Sequence, residues 1–394
     1  MQQRPAREGF GGGIYDEWMK SEGIPIYQTM VGIEDVNELP RKPWGRMGGL
    51  GTFIEMEGTK QARKGLYVVE IPAGGSLEPE KHLYEELLYV MRGRGLTEVW
   101  QEGQPKRTFE WGKGALFAIP LNTSHRLVNG GREPVLIFAQ TSAPLAMTLF
   151  RETEFVFNCD HNFTDRYSGQ ADFFVAGEAR SKQELASGET RGTRWETNFV
   201  PDLHAVVGDY LSPWKVEGGK QTYIILASFA GVHTSEWPVG IYHKAHYHGP
   251  GAILVGLRSE GYVLVWHRQY GIHPYQDGYG EMVEKINWKP DSIYCPPTEW
   301  FHQHFNTGNE PAQHLAVTGG GLGIELPTIT GRAAGASSPS IREGGRVIEY
   351  EDEDTEIRQM FQREIKKNSV EFAMKPVVYR TDPFKESHLT GGIY

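Results

Sequence analysis

The sequence predicts an all-β protein made of two copies of one small barrel or sandwich, with one C-terminal α-helix. Three observations carry this. Short runs of branched and aromatic residues recur between Gly- and Pro-rich turns, as in Thr52–Met56, Leu66–Ile71, Glu86–Met91, Leu96–Trp100, Ala115–Ile119 and Val135–Gln140. Glycine (48 residues), proline (23) and aromatics (12%) are abundant, while a single stretch shows convincing helical spacing. Two sequence elements also recur in the same order in the two halves of the chain, the mark of a duplicated domain.

At roughly 100–200 residues per domain, 394 residues make two domains with appendages. The reading in chain order is an N-terminal arm (1–45), a first strand-rich domain (46–150), a polar connector (151–215), a second strand-rich domain (216–325) and a C-terminal region (326–394). The Gly/Ala/Ser-rich stretch 319–345 reads as a long loop, of the length that often closes over a site. The helix follows it. Asp354 caps it, Glu356 puts negative charge in its first turn, and Ile357, Met360, Phe361 and Ile365 fall on one face before Lys366 and Lys367.

The charge, 40 basic against 50 acidic residues or −10, is spread along the chain and lacks the basic stripe of a nucleic-acid binder. No apolar run approaches the ~20 residues that span a bilayer. The opening residues lack the apolar core of a signal peptide. Two cysteines, Cys159 and Cys295, cannot form a disulfide framework in so long a chain. The expectation is a cytoplasmic enzyme or binding protein with no nucleic-acid or membrane partner.

The repeat carries metal-ligand chemistry. Glu80-Lys81-His82 through Gly95 aligns without a gap on His246-Tyr247-His248 through Gly261, which puts His82 on His248, Glu86 on Ala252 and Arg92 on Arg258. A second element follows each: Gly114-x5-Pro120-x4-His125-x3-Asn129, and Asp291-x5-Pro297-x4-His302-x3-Asn306. On a strand, residues i and i+2 face the same way, so an H-x-H pair aims both imidazoles into a barrel.

These motifs resemble those of the cupin superfamily, and the chain looks like a bicupin. The resemblance covers the two strand-rich regions and implies two double-stranded β-helix (jelly-roll) barrels, each with a place for a metal. It implies a main site at His246, His248 and His302, and a possible second site at Glu80, His82, Glu86 and His125. The second half is similar to the three-histidine iron sites of gentisate, salicylate and 1-hydroxy-2-naphthoate dioxygenases, in which an alanine stands at the carboxylate position, as Ala252 does here. It departs from them in placing the three histidines in the second barrel and Leu254 where they carry an arginine.

The resemblance therefore implies an Fe(II)-dependent dioxygenase that cleaves a C–C bond of an aromatic or enolic acid, with a small anionic substrate and O2 as partners. Imidazole ligands suit Mn, Zn, Ni and Cu as well as iron, so the ligand set leaves the metal open. His304 shares the parity of His302 and is expected either to support the ligands from behind or to touch substrate. Arg258 shares the parity of His248, absent a bulge, and is assigned to a substrate carboxylate; its rival reading is a solvent-facing strand end. His243 lies off that parity and is read as outside the site. The alternative functions are a metal-dependent decarboxylase, isomerase or lyase, and a non-catalytic ligand-binding bicupin. Exposed strand edges and the arm predict a homo-oligomer.

Overall fold

The computed structural model describes residues 13–176, 179–184, 190–208, 210–211, 215–226, 229–249, 251–319, 338–384 and 389. It contains two barrels of one topology. In the first, a large sheet runs in the order Leu50–Met56, Gly65–Ile71, Val135–Thr141, Glu86–Arg92 and Leu116–Ile119, and a small sheet runs Ser124–Val128, Arg94–Trp100 and Arg107–Gly112. In the second, the large sheet runs Lys220–Leu226, Phe229–Trp237, Ala312–Val317, Ile253–Arg258 and Ile293–Tyr294, and the small sheet Trp300–Asn306, Gly261–His267 and Glu284–Trp288. Each strand has its counterpart in the other barrel, in the same spatial order, so the sequence repeat is a repeat of topology.

Alternation along the strands decides what faces where. In Glu86–Arg92, Leu88 and Val90 join the core of their own barrel, while Leu87, Tyr89 and Met91 join a second core. That second core also takes Ile253, Val255 and Leu257 from the other barrel, so the two large sheets pack against each other through buried aliphatic side chains. Full burial of such a side chain contributes about 1.5–3 kcal/mol. A one-residue slip of either strand would exchange the two faces. The same parity sends Glu86, and in the other barrel Ala252 and Leu254, inward.

Each barrel has an edge covered by a segment that precedes or follows the other. Gly32–Ile33, in the arm, pairs antiparallel with Ile293–Tyr294 of the second barrel. Phe199–Val200, in the connector, pairs with Leu116–Ile119 at the equivalent edge of the first. Covered edges are protected from pairing with other chains. A side chain at Gly32 would meet Tyr294 Cβ at 2.5 Å, which explains a glycine in this strand.

The helix Thr355–Lys367 begins as the sequence predicts, with Asp354 accepting a hydrogen bond from the Glu356 N–H at 3.0 Å. Ile357, Phe361 and Ile365 are buried with Tyr262, Leu264 and Trp266, the outward set of the second barrel's small sheet. It is not the only helix: Ile14–Ser21, Glu57–Gln61, Ala143–Phe150 and Thr153–Asn158 are helical too. None exceeds two turns or so, too short for a periodic signal. Of the 319–345 loop, residues 320–337 lie outside the described residues, and Ile341–Glu343 forms a 3-10 turn. Cys159 and Cys295 are free thiols. Among the described residues, no helix is long and apolar enough to cross a membrane.

Candidate metal centres

In the second barrel, His246 and His302 face each other across an antiparallel bridge closed by reciprocal backbone hydrogen bonds of 3.1 and 2.9 Å. His248 follows two residues on. The three rings lie with centroids 4.4 Å (His246–His302), 4.6 Å (His248–His302) and 5.9 Å (His246–His248) apart. Their ligand atoms all fall within 4.8 Å of one another.

The backbone fixes which nitrogen is free. Nδ1 of His246 lies 3.0 Å from the Lys244 carbonyl, that of His248 2.9 Å from Gly249 O, and that of His302 3.1 Å from Trp300 O. A carbonyl only accepts, so each Nδ1 carries the proton and each Nε2 keeps its lone pair, the usual support of a metal-bound histidine. Burial and mutual proximity push His246 and His302 well below the ordinary imidazole range, and burial, with the nearby cations, brings His248 down to about 4. The three are neutral at physiological pH, as ligands must be. The donor set fits a first-row divalent metal, and with Ala252 at the carboxylate position it leaves the remaining coordination positions to outside ligands.

The cavity beside this trio holds more histidines than the motif accounts for. His304, as expected, lines it, and its Nδ1 lies 3.0 Å from the Tyr294 hydroxyl, which is also 2.9 Å from Nδ1 of His314. One hydroxyl proton cannot serve both, so Tyr294 donates to one ring and accepts from the other, and the two histidines hold opposite tautomers. His243, read from parity as outside, is brought in: it lines the cavity, 4% exposed, with both ring nitrogens unpartnered. His243 precedes the motif strand, on a segment without regular alternation, so strand parity does not govern where it points. His233, His314 and Lys215 also line the cavity and were not singled out. Strand alternation puts two of them there: His233, Ser235 and Trp237 share one face of their strand, and Ala312, His314 and Ala316 one face of another.

Arg258 is not brought to the site. The strand carries a register shift between Gly256 and Arg258, a bulge that breaks the parity on which the assignment stood. Its guanidinium instead donates to the His204 carbonyl at 2.7 Å. Tyr247, Tyr262 and Trp266 belong to the core under the C-terminal helix rather than to the cavity.

The first barrel repeats the geometry with different ligands. Glu80 and His125 face each other across the equivalent bridge. Here too each group has one atom held and the other turned inward. Nδ1 of His82 lies 3.0 Å from Tyr84 O and that of His125 3.1 Å from Thr123 O. Tyr67 donates to one oxygen of Glu86 at 2.7 Å, and Arg46 to one oxygen of Glu80. The other Glu86 oxygen stands 3.5 and 3.4 Å from Nε2 of His82 and His125. Those spacings are long for charge-assisted hydrogen bonds, which run about 2.7–2.9 Å, and suit ligands sharing an ion at about 2.1 Å. Glu80 Oε2 and His82 Nε2 are buried without partners, each at a cost of roughly 1–3 kcal/mol unless something binds there. Burial alone would raise the Glu86 carboxyl, but the two imidazoles hold it well below the carboxylate range. Burial lowers His125, and the adjacent Glu86 more than offsets it, so its imidazole sits above its ordinary range. Among the described residues, Glu80, His82 and His125 form a second group able to hold a metal ion, with Glu86 against both histidines.

Residues 67–140 match the family model of the cupin domain. The second barrel has the same strand order. The fold is a bicupin. No curated protein matches the chain. Among solved structures, a single-substitution variant of oxalate decarboxylase from Bacillus subtilis is similar at 12% identity and a TM-score of 0.43, over 73% of this chain and 76% of that one. The coconut allergen cocosin is similar at 14% identity and a TM-score of 0.43, over 73% and 84%. Oxalate decarboxylase from Lactobacillus farciminis, in a formate complex, is similar at 11% and 0.43, over 73% and 85%.

Proposed function

We propose that this bicupin is a metal-dependent enzyme whose second barrel cleaves a C–C bond of a small enolic or oxo acid with O2, using Fe(II) at His246, His248 and His302. The observation that carries the reading is the convergence of three neutral, backbone-oriented imidazoles with alanine in place of the carboxylate. A divalent iron there would supply Lewis-acid stabilisation of an enolate and reactivity toward O2.

The protein's own residues restrict what enters. The cavity offers about 40 Å³ to the centres of water molecules; a single water needs roughly 10–15 Å³, so a ligand displacing about three waters fits. That favours a short enolic acid over an aromatic one. His304, held by Tyr294 through Nδ1, presents Nε2 to the ligand, and burial keeps the ring neutral. Ala252, Leu254 and Ala316 supply an apolar wall that excludes water from the reacting carbon.

A second reading is favoured by the first barrel. The Glu80, His82, Glu86 and His125 set suits a decarboxylase, isomerase or lyase that needs no oxygen incorporation. We assign the protein a soluble, cytoplasmic setting and self-association as part of the proposal. The test is anaerobic loading with Fe(II), then oxygen uptake across short enolic and oxo acids and phenolic acids. Uptake with a short acid, lost in His302→Ala, supports the oxygenase. Release of CO2 without uptake, lost in Glu86→Gln, replaces it with the second reading.

A further inference from the structure

Trp237, His243 and His314 form a buried polar cluster in the second-barrel cavity that the three-histidine centre does not use. The indole stands in the middle, its ring centroid 4.5 Å from that of His243 and 4.9 Å from that of His314. The three residues are 1%, 4% and 1% exposed. Nε1 of Trp237, both ring nitrogens of His243 and Nε2 of His314 have no hydrogen-bond partner. Nδ1 of His314 alone is held, 2.9 Å from the Tyr294 hydroxyl. Buried polar atoms without partners mark a place where a ligand completes the hydrogen bonding. The His304 ring stands 5.2 Å from His243 and 5.5 Å from His302, so one small molecule reaches both the cluster and the metal centre.

The chemistry of these atoms restricts what completes them. Indole Nε1 only donates. Burial pushes His243 well below the ordinary imidazole range and His314 down to about 3, so both rings are neutral. A neutral imidazole has one N–H and one lone pair, so His243 offers both a donor and an acceptor. A carboxylate brings acceptors only and leaves that lone pair unanswered. A hydroxyl brings both: its oxygen accepts from an N–H, and its proton is donated to a ring nitrogen. We propose that Trp237, His243 and His314 form a hydroxyl subsite, selecting a short 2-hydroxy or 2-oxo acid that carries a distal hydroxyl or enol group and chelates the centre held by His246, His248 and His302 through its other end. This rests on the metal-centre reading above and adds the substrate's second functional group to it. A site built to hydrogen-bond a hydroxyl rejects the analogue that lacks it, because its own buried groups are then left unpaired.

The experiment compares two acids of the same chain length and the same chelating end, lactate and glycerate, which differ in one distal hydroxyl. Each is titrated calorimetrically into the full-length protein loaded with redox-inert Zn(II). The subsite predicts that glycerate binds at least about tenfold more tightly. Trp237→Phe removes one N–H and keeps a buried ring, and His243→Phe removes a donor and an acceptor; each should bring glycerate toward the affinity of lactate. Equal affinities in the wild type overturn the subsite, and so does binding of neither acid; neither result needs a variant to fold. A preference that survives both variants also overturns it. The preference standing while Fe(II)-loaded protein takes up no oxygen would keep the subsite and sink the oxygenase reading alone. Oxygen uptake with equal affinities would do the reverse.

Discussion

Arg46 is the residue on which the first barrel's ligand cluster leans, and removing its charge should be costly in a calculable way. Its Nε lies 2.7 Å from Glu22 and its Nη1 pairs with Glu80. The guanidinium sits 5.4 Å from the Trp18 and Trp44 rings and 4.9 Å from Phe157. The two carboxylates are only 8% and 6% exposed. Arg46→Met keeps an apolar stem in the aromatic box and leaves both carboxylates without their cation. Breaking a buried pair from one side costs about 3–5 kcal/mol. Arg46 is 27% exposed, so water reaches the pair, and the low end, about 3 kcal/mol, applies. At about 2–4 °C per kcal/mol for a cooperative unit of 150–250 residues, metal-free Arg46→Met should melt roughly 6–12 °C below wild type. Two further arms identify the cause. Adding Glu80→Gln should recover at least about 1 kcal/mol, because the stranded charge is gone. Adding Mn(II) at about 100 times its Kd should return roughly 2.7 kcal/mol by mass action, provided the ion binds the folded cluster alone. Calorimetric melts in chelator and in Mn(II) read all three. A melt within about 2 °C of wild type, or a double variant no more stable than the single, would refute the reasoning.

Three other outcomes are expected. Elemental analysis after reconstitution should show His248→Ala losing the second-barrel metal and retaining that of the first, with the reverse in His82→Ala; loss of both in either variant would show that the centres are not independent. Ala252→Glu restores a carboxylate at the position matching Glu86, and should tighten divalent binding at the second barrel by about tenfold or more while closing a coordination position and lowering turnover; unchanged chelator competition would contradict it. Glu353 is buried, accepts from Gln303 at 3.2 Å and from the Tyr242 hydroxyl, and is pushed by burial from 4.5 up to about 8. A carboxyl raised on folding contributes stability that is full below pH 4.5 and is lost as pH rises toward 8, on the order of 5 kcal/mol. Glu353→Gln should flatten thermal stability between pH 5 and 8, and an undiminished slope in the variant would count against the assignment.

What the sequence made legible follows from where the physics is local. The duplication was readable because H-x-H and its counterpart sit on strand segments whose two-residue period fixes their direction, and both ligand groups gather where that period places them. Arg258 shows the limit of the same rule: one bulge between Gly256 and Arg258 turns Arg258 to the other face, and its one trace in the sequence is Gly256. His243, His233 and His314 were hidden for a different cause. His233 and His314 lie apart in sequence from the motif, and strand pairing, as between Ser235 and His314, brings them to one wall, whereas His243 stands just before the motif on a segment without strand period. Arg46 was hidden likewise, since nothing around it in the sequence announces that it will reach Glu80. Both omissions bear on chemistry. The two barrels share one backbone geometry but differ in the charge that surrounds it: carboxylates answered by Arg46 in the first, neutral imidazoles facing Lys215 in the second. A centre rich in anionic ligands holds its ion strongly and has less need of an anionic substrate. A centre of neutral ligands beside a lysine keeps its positive charge for whatever enters. That difference in charge lies outside the shared motif, in residues that strand period alone does not bring to the site.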